Sequence, residues 1–130
     1  MAAGERGATA TSAIGAREQA PMKQLEIWWA ELPEPVGARP VLLLTRTPAT
    51  AYLSRLMIAE VTTTVRHIPQ EVALGPREGL ARPCVVNLDN VHVVPKSRLR
   101  ERVGVIPARR AHEVKRALGH ALAWPELTAL

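Results

Sequence analysis

The sequence predicts a mainly β fold, a small closed or half-closed barrel that ends in one amphipathic helix. Two observations predict this class. From Leu25 onward, short apolar runs alternate with segments rich in glycine, proline and charged residues, as in many short strands joined by turns. After Pro107, apolar residues instead recur at spacings of three and four, which is typical of one face of a helix.

Residues 1–21 precede the patterned part of the chain. They are rich in alanine, glycine, threonine and serine, and they lack both apolar periodicity and the continuous apolar stretch of a secretory signal. We therefore expect a disordered extension over residues 1–21 and a single domain over residues 22–130. A chain of this length can bury one modest core.

Seven strands are predicted in the first part of this domain. Their ranges are Leu25–Ala30, Arg39–Thr45, Leu56–Val61, Gln70–Leu74, Cys84–Leu88, Val91–Val94 and Val103–Val105. The second is almost wholly apolar, as expected of a strand that is buried on both faces. The fifth and sixth are separated by Asp89 and Asn90, which are turn-forming residue types.

The helix follows the last strand. Pro107 suits a first helical turn, and apolar side chains then recur at Ala111, Val114, Leu118 and Leu122. This spacing predicts an amphipathic helix from residue 107 to residue 123 that packs on the barrel. Gly119 slightly lowers the helix propensity of this segment.

Composition narrows the classes of partner and cofactor. The 17 Lys and Arg residues against 12 Asp and Glu give a net charge of +5, which favours a nucleic acid, although many small basic proteins bind none. Cys84 is the only cysteine and the four histidines lack zinc-ligand spacing, so we expect no disulfide, no metal and no other cofactor. The apolar runs are too short to span a bilayer, so a soluble, cytoplasmic protein without a membrane partner is expected.

Several segments resemble, in order and spacing, the MazF/PemK (Kid) family of bacterial type II toxin–antitoxin modules. They cover residues 25 to 123 and are Glu26–Ala30, Gly37–Leu42, Ile58–Thr62, Val85–Asn90, Pro95–Leu99 and parts of the C-terminal helix. The resemblance implies an SH3-like barrel of the type shared by MazF, PemK and CcdB, usually a homodimer. It also implies an endoribonuclease that cuts single-stranded RNA at short sequence motifs without metal, and a MazE-like antitoxin that occupies the RNA groove.

Metal-free RNA cleavage uses the neighbouring 2′-hydroxyl as nucleophile, and it needs a base, an acid and donors for the phosphoryl oxygens. The resemblance assigns catalytic roles to Arg39, whose guanidinium suits a pentavalent phosphorane, and to Thr62, whose hydroxyl bonds a non-bridging oxygen. It matches Asp89 to the general base of the Kid branch, whereas in the MazF branch the same position contacts RNA and takes no part in the chemistry. Each residue also has a structural interpretation: a surface arginine, a threonine chosen for β-propensity and a turn aspartate.

Further side chains are predicted to contact RNA: Arg46, Thr63, Arg66, His67, Asn87 and Asn90. Arginines hold phosphates, asparagine amides can read base edges, and His67 lies in the loop that borders the RNA groove in the family. An imidazole there can stack on a base or assist proton transfer. His92 lies in a predicted strand and is interpreted as structural.

The chain departs from the family pattern at three places. Gln24-Leu25 replaces the usual Arg-Gly, Val36-Gly37 stands near the position of the Kid histidine, and Asn87 replaces a Kid arginine. The Kid acid–base set is therefore incomplete. Two other functions stay open: a CcdB-like toxin that binds DNA gyrase, with Trp124 as its exposed anchor, and an RNA-binding relative without catalytic activity.

Overall fold

The computed structural model describes residues 22–130, so the extension predicted for residues 1–21 lies outside the described residues. The strands are β1 (Glu26–Glu31), β2 (Ala38–Leu43), β3 (Arg55–Thr62), β4 (Glu71–Leu74), β5 (Cys84–Pro95) and β6 (Leu99–Val105), and the helices are α1 (Ala111–Leu122) and α2 (Pro125–Thr128). The strands form one antiparallel sheet in the order β4-β5-β3-β2-β1-β6. The predicted mainly β class with a C-terminal helix is confirmed.

One prediction about the strands was wrong. The predicted fifth and sixth strands form the single strand β5, and Asp89 and Asn90 lie within it instead of in a turn. Between the pairs Ala59↔Val91 and Val61↔Val86, β3 advances by two residues while β5 advances by five. The surplus residues of β5 are absorbed by a bulge, which bends the strand without reversing its direction.

The two edge strands, β4 and β6, are not hydrogen-bonded to each other, but the turn after β4 packs against β6. Gly79, at the end of a 3₁₀ turn over Pro76–Glu78, has a φ of +97°, which favours glycine. A Cβ built on Gly104 of β6 would overlap the carbonyl oxygen of Glu78. Backbone therefore packs directly on backbone here, which half-closes the barrel.

Both faces of the sheet carry apolar side chains. On one face, residues such as Ile27, Leu42 and Val86 pack with Val114 and Ala117 of α1. On the other, the curved sheet encloses a second cluster: Ala30, Leu32, Val41, Leu43, Leu56, Ile58, Val94 and Leu99. Because side chains alternate along a strand, β2 contributes to both clusters, as its almost wholly apolar sequence predicted.

Helix α1 is shorter than predicted, because residues 108–110 form a 3₁₀ turn and Ala123 ends the helix with a φ of 56°. A second helix, α2, was not predicted. It lies against Gly119, where a Cβ would come within 2.6 Å of the Leu127 Cβ. The absent side chain at Gly119 thus makes room for α2. No helix among residues 22–130 is long and apolar enough to cross a membrane.

Arg110 fastens the start of α1 to the sheet. Its guanidinium donates to Glu78 Oε2 at 2.8 Å, to the carbonyl oxygen of Ala73 at 2.8 Å and to Glu113 Oε1 at 2.7 Å. The hydrogen bond from Arg110 lowers the pKa of Glu113, and the same bond raises the pKa of Arg110. Both groups therefore stay charged at neutral pH.

Candidate active site

Arg39 and Thr62 lie at the same end of two neighbouring strands. The last pair between β2 and β3 is Val41 with Glu60, and Arg39 and Thr62 each lie two residues beyond it. Because side chains alternate, Arg39, Glu60 and Thr62 share the face on which Val41 is buried. The fold thus places the first two predicted catalytic residues at the same end and on the same face of the sheet.

Glu60 joins Arg39 to His92, for which the sequence predicted a structural role. Its Oε1 accepts from Arg39 Nη1 at 3.2 Å, and its Oε2 lies 2.8 Å from His92 Nε2. The Glu60 side chain is 14% exposed, against 31% for Arg39 and 41% for His92. Three adjacent strands, β2, β3 and β5, each supply one member of this cluster, which we call the Arg39–Glu60–His92 row.

Glu60 and His92 were missed because their meaning depends on pairing across strands. A signal was present in the sequence, since Glu60 is the one charged residue of the segment 56–61. A carboxylate on a buried strand needs a partner, because an unpaired buried charge is costly. The sequence does not reveal which residue that partner is.

Arg39 keeps donors that Glu60 does not use. Its Nε is enclosed by protein and has no hydrogen-bond partner among the described residues, while Nη1 is engaged by Glu60. Nη2 also has no partner among the described residues, and the side chain is 31% exposed. The guanidinium therefore has an unused donor group with which to bind a phosphate.

The bulge in β5 presents Asp89. Asn87 is buried, and its Oδ1 accepts the backbone N–H of Asp89 at 2.8 Å, which fixes the local bend. Asp89 and Asn90 are exposed. Asn87 therefore shapes the backbone around Asp89, while the side chains of Asp89 and Asn90 are accessible from solvent.

The loop from residue 63 to residue 70 borders the same end of the sheet. The Glu71 carboxylate accepts the backbone N–H groups of Arg66, at 3.0 and 3.1 Å, and of His67, at 3.0 Å. Thr62 Oγ1 accepts the backbone N–H of Thr64 at 3.1 Å. Since these bonds use backbone donors, the exposed side chains of Thr63, Arg66 and His67 stay available.

Arg46 lies at the opposite end of the sheet from Arg39 and Thr62. It follows the far end of β2, seven residues beyond Arg39, and its Nη2 donates to the Tyr52 hydroxyl at 3.1 Å. At about 3.3 Å per residue of strand, this separation places Arg46 roughly 20 Å from Arg39. The structure does not bring this predicted RNA contact to the Arg39–Glu60–His92 row.

A largely apolar pocket of about 470 Å³ lies beside the ends of β2 and β3. It is lined by Trp29, Pro40, Val61, Thr62, Thr63, Gly79, Leu80, Ala81, Arg82, Cys84 and Val103. Burial, and to a lesser degree the charge of Glu78, raises the pKa of Cys84, so its thiol stays protonated. Among residues 22–130, no three His, Cys, Asp or Glu side chains are grouped to hold a metal.

Comparison with known proteins gives a consistent result. Residues 23–122 match the family described as PemK-like, MazF-like toxin of type II toxin-antitoxin system. "Probable endoribonuclease MazF2" of Mycobacterium tuberculosis is 35% identical over 98 residues, which are 75% of this chain and 94% of the relative. "Probable endoribonuclease MazF5" of the same species is 38% identical over 94 residues, 72% of this chain and 85% of the relative.

Solved structures agree with these relatives. "Mycobacterium tuberculosis toxin MazF-mt6" superimposes with a TM-score of 0.71 at 35% identity, covering 75% of this chain and 96% of that one. "Endoribonuclease in complex with its cognate antitoxin from Mycobacterial species" superimposes with a TM-score of 0.70 at 27% identity, covering 80% and 97%. The similarity thus extends over nearly the whole length of each related protein.

Proposed function

Because this chain belongs to the PemK-like, MazF-like family of type II toxins, we propose that it is an endoribonuclease that cuts single-stranded RNA. It acts at short sequence motifs, needs no metal, and uses the 2′-hydroxyl next to the scissile phosphate as nucleophile. The domain that does this spans residues 22–130. The cytoplasm, where RNA is abundant, is the compartment in which this activity acts as a toxin.

The observation that carries the proposal is the placement of Arg39 and Thr62 at the same end and on the same face of β2 and β3, with an unused donor, Nη2, on the guanidinium. A phosphate between the two side chains would receive N–H donors from one strand and a hydroxyl from the next. Such preorganised donors stabilise the charge that grows on the phosphoryl oxygens as the 2′-oxygen attacks. Arginine suits this role because its planar donor group stays charged.

Asp89 is the base in this proposal. Asp89 is exposed on the β5 bulge, and Asn87 Oδ1 accepts the backbone N–H of Asp89. An ionised carboxylate there accepts the proton of the 2′-hydroxyl as the new O2′–P bond forms. DNA lacks this hydroxyl, so a DNA strand of the same sequence would be bound but not cut.

RNA is held by the exposed side chains of the neighbouring loop and bulge. Arg66 provides positive charge for a phosphate, while Thr63, His67 and Asn90 provide hydrogen-bonding or stacking groups for bases. Asn87 is buried, so its contribution is to shape the bulge. Arg46 contributes only if the RNA extends to the other end of β2.

Two protein partners complete the proposal. A similar mycobacterial endoribonuclease has been solved in complex with its cognate antitoxin, and we propose a MazE-like antitoxin for this chain. The site indicates which residues this antitoxin uses: a segment that covers Arg39 and Arg66 must supply acidic groups to both. We also propose that the active form is a homodimer, as in the family.

The test is RNA cleavage by the purified protein in the presence of EDTA. A long single-stranded RNA is incubated with the parent, with Arg39→Ala and with the control Arg55→Ala, and the new ends are mapped. Arg55 is an exposed arginine at the end of β3 away from Thr62, so the control removes an equal charge outside the site. A DNA copy of the substrate serves as the second control.

We expect discrete cuts in RNA only, from the parent and Arg55→Ala, with a loss of at least about 100-fold in Arg39→Ala. Intact RNA from a folded parent would overturn the proposal, and a gyrase-binding toxin would then be tested by DNA supercoiling assays. Binding of RNA without any cutting would instead identify a catalytically silent relative.

A further inference from the structure

The proposed reaction lacks one component. When the P–O5′ bond breaks, the departing oxygen needs a proton, and an alkoxide without one is a poor leaving group. Arg39 stays charged throughout, a threonine hydroxyl is a weak acid, and Asp89 is already the base. This inference rests on the proposed function and concerns the group that supplies the missing proton.

His92 is linked to Arg39 through Glu60. Its Nε2 is 2.8 Å from one oxygen of Glu60, whose other oxygen accepts from Arg39 Nη1 at 3.2 Å. One carboxylate thus holds the imidazole and the guanidinium that is proposed to bind the phosphate, and both groups lie on the same face of the sheet.

The imidazole has one nitrogen free. Only Nε2 of His92 is engaged, so Nδ1 makes no hydrogen bond within residues 22–130, and the side chain is 41% exposed. The contact with Glu60 fixes the ring orientation, as the carboxylate of a catalytic triad fixes its imidazole.

His67 is the other imidazole near the site, and it lacks this support. Among the described residues, its only hydrogen bond comes from its backbone N–H to Glu71. Its side chain is exposed and no carboxylate orients it. A proton donor must be held at a defined position, so the geometry favours His92.

We propose that His92 is the general acid of the reaction and that Glu60 is its positioning residue. The 2′-oxygen forms a bond to phosphorus as Asp89 takes its proton, and the P–O5′ bond breaks as His92 Nδ1 gives its proton to O5′. The products are a 2′,3′-cyclic phosphate and a free 5′-hydroxyl. Exchange with water then returns a proton to His92 and removes one from Asp89.

The test changes the leaving group. Two RNA oligonucleotides carry the mapped cleavage site, one with the natural 5′-oxygen and one with sulfur at that bridging position. A thiolate leaves without protonation, so a general acid becomes unnecessary for the second substrate. Single-turnover rates are measured for the parent, His92→Ala, Glu60→Gln and the control His120→Ala, which removes an exposed imidazole from the end of α1.

On the oxygen substrate we expect His92→Ala to cleave about 100- to 1,000-fold more slowly than the parent, which is the usual contribution of a general acid. On the sulfur substrate the loss should shrink to less than about fivefold. Glu60→Gln should show the same pattern with a smaller loss of about tenfold, because glutamine still orients the ring but carries no charge. His120→Ala should match the parent on both substrates.

Each contrary result has a defined meaning. If the parent cuts RNA and His92→Ala cuts the oxygen substrate at the parental rate, the acid assignment is wrong while the proposed function stands. Equal losses on both substrates, with unchanged thermal unfolding, would also overturn it, because His92 would then act before leaving-group departure. A parent that cuts neither substrate removes the proposed function and this inference together.

Discussion

The Glu60 carboxylate has partners on both neighbouring strands. Glu60 projects from β3, which lies between β2 and β5, and it meets a positive or protonatable group from each neighbour. A carboxylate that is only 14% exposed is stable there because both of its oxygens have partners. Replacing Arg39 therefore affects His92 as well, since one of the partners of Glu60 is lost.

The pair of Arg110 and Glu113 shows a second consequence of side-chain pairing, and it predicts how stability depends on pH. Arg110 lowers the pKa of Glu113 in the folded chain relative to the unfolded chain. A depressed carboxyl pKa stabilises the fold at pH values above the unfolded pKa, about 4.3 for glutamate. This contribution is lost as the pH falls through the lower, folded pKa.

We therefore expect Glu113→Gln to be less stable than the parent at pH 7 and the difference to narrow steadily below about pH 4. Urea unfolding across this pH range measures the free energies. Glu101→Gln, at an exposed position of β6, is the matched control and should follow the parent at every pH. A constant difference for Glu113→Gln across the range would contradict the assigned cause.

At the scale of the elements, the two edge strands of the barrel are joined by packing and not by strand hydrogen bonds. β4 and β6 are the edges of the sheet, and they are joined by the packing of the Pro76–Glu78 turn on Gly104. Arg110 strengthens the same corner by binding Glu78 from the start of α1. At this corner the turn thus packs backbone against backbone on β6, and an ion pair ties it to the start of α1.

Gly104→Ala tests that contact. The new methyl group would overlap the Glu78 carbonyl oxygen, so the turn must move away from β6. We expect the free energy of unfolding to fall by about 1–3 kcal/mol, the usual cost of overpacking. Thermal and urea unfolding provide the measurement.

Gly75→Ala is the matched control at the same corner. A Cβ there meets nothing nearer than the Pro83 Cα at 3.9 Å, and its backbone is extended. Its stability should stay within about 0.5 kcal/mol of the parent, as for a typical neutral substitution. If both alanine variants are equally stable, the close approach does not hold the barrel together.

For the molecule as a whole, the net charge of +5 shapes its encounter with RNA. A positive protein attracts a polyanion over a distance set by salt, and each phosphate that it neutralises releases counterions. The site also holds acidic groups, because Glu60 pairs with Arg39 and the Glu71 carboxylate accepts the backbone N–H of Arg66. RNA affinity should therefore depend on salt to a moderate degree.

We expect about two phosphate contacts, to Arg39 and Arg66, which for single-stranded RNA corresponds to a slope of about −1.4 in a plot of log affinity against log salt. Affinity would then fall about sevenfold between about 50 and 200 mM salt. Fluorescence anisotropy measures it with an RNA that carries a single 2′-deoxynucleotide at the cleavage site and stays intact. Arg66→Ala should flatten the slope by about 0.7, whereas Arg55→Ala should not change it. A slope that does not respond to Arg66→Ala would remove this residue from the RNA interface.

The sequence by itself determined the fold class, most strand positions and the helix. Alternating and continuous apolar runs indicate where each strand lies, because a strand must bury one or both of its faces. The almost wholly apolar β2 was predicted to be buried on both faces, and it packs in both clusters. The ordered segments around Arg39, Thr62 and Asp89 also gave the family, which the comparisons confirm.

Only the tertiary structure decided how these residues meet. The bulge in β5 depends on the register of β3, so two turn-forming residues, Asp89 and Asn90, read locally as a turn although the strand continues through them. Helix α2 depends on the space left by Gly119. The Glu60–His92 pair joins residues 32 positions apart in the chain. Register, bulges and close packing are set by non-local contacts, and a periodicity read along one segment contains no information about them.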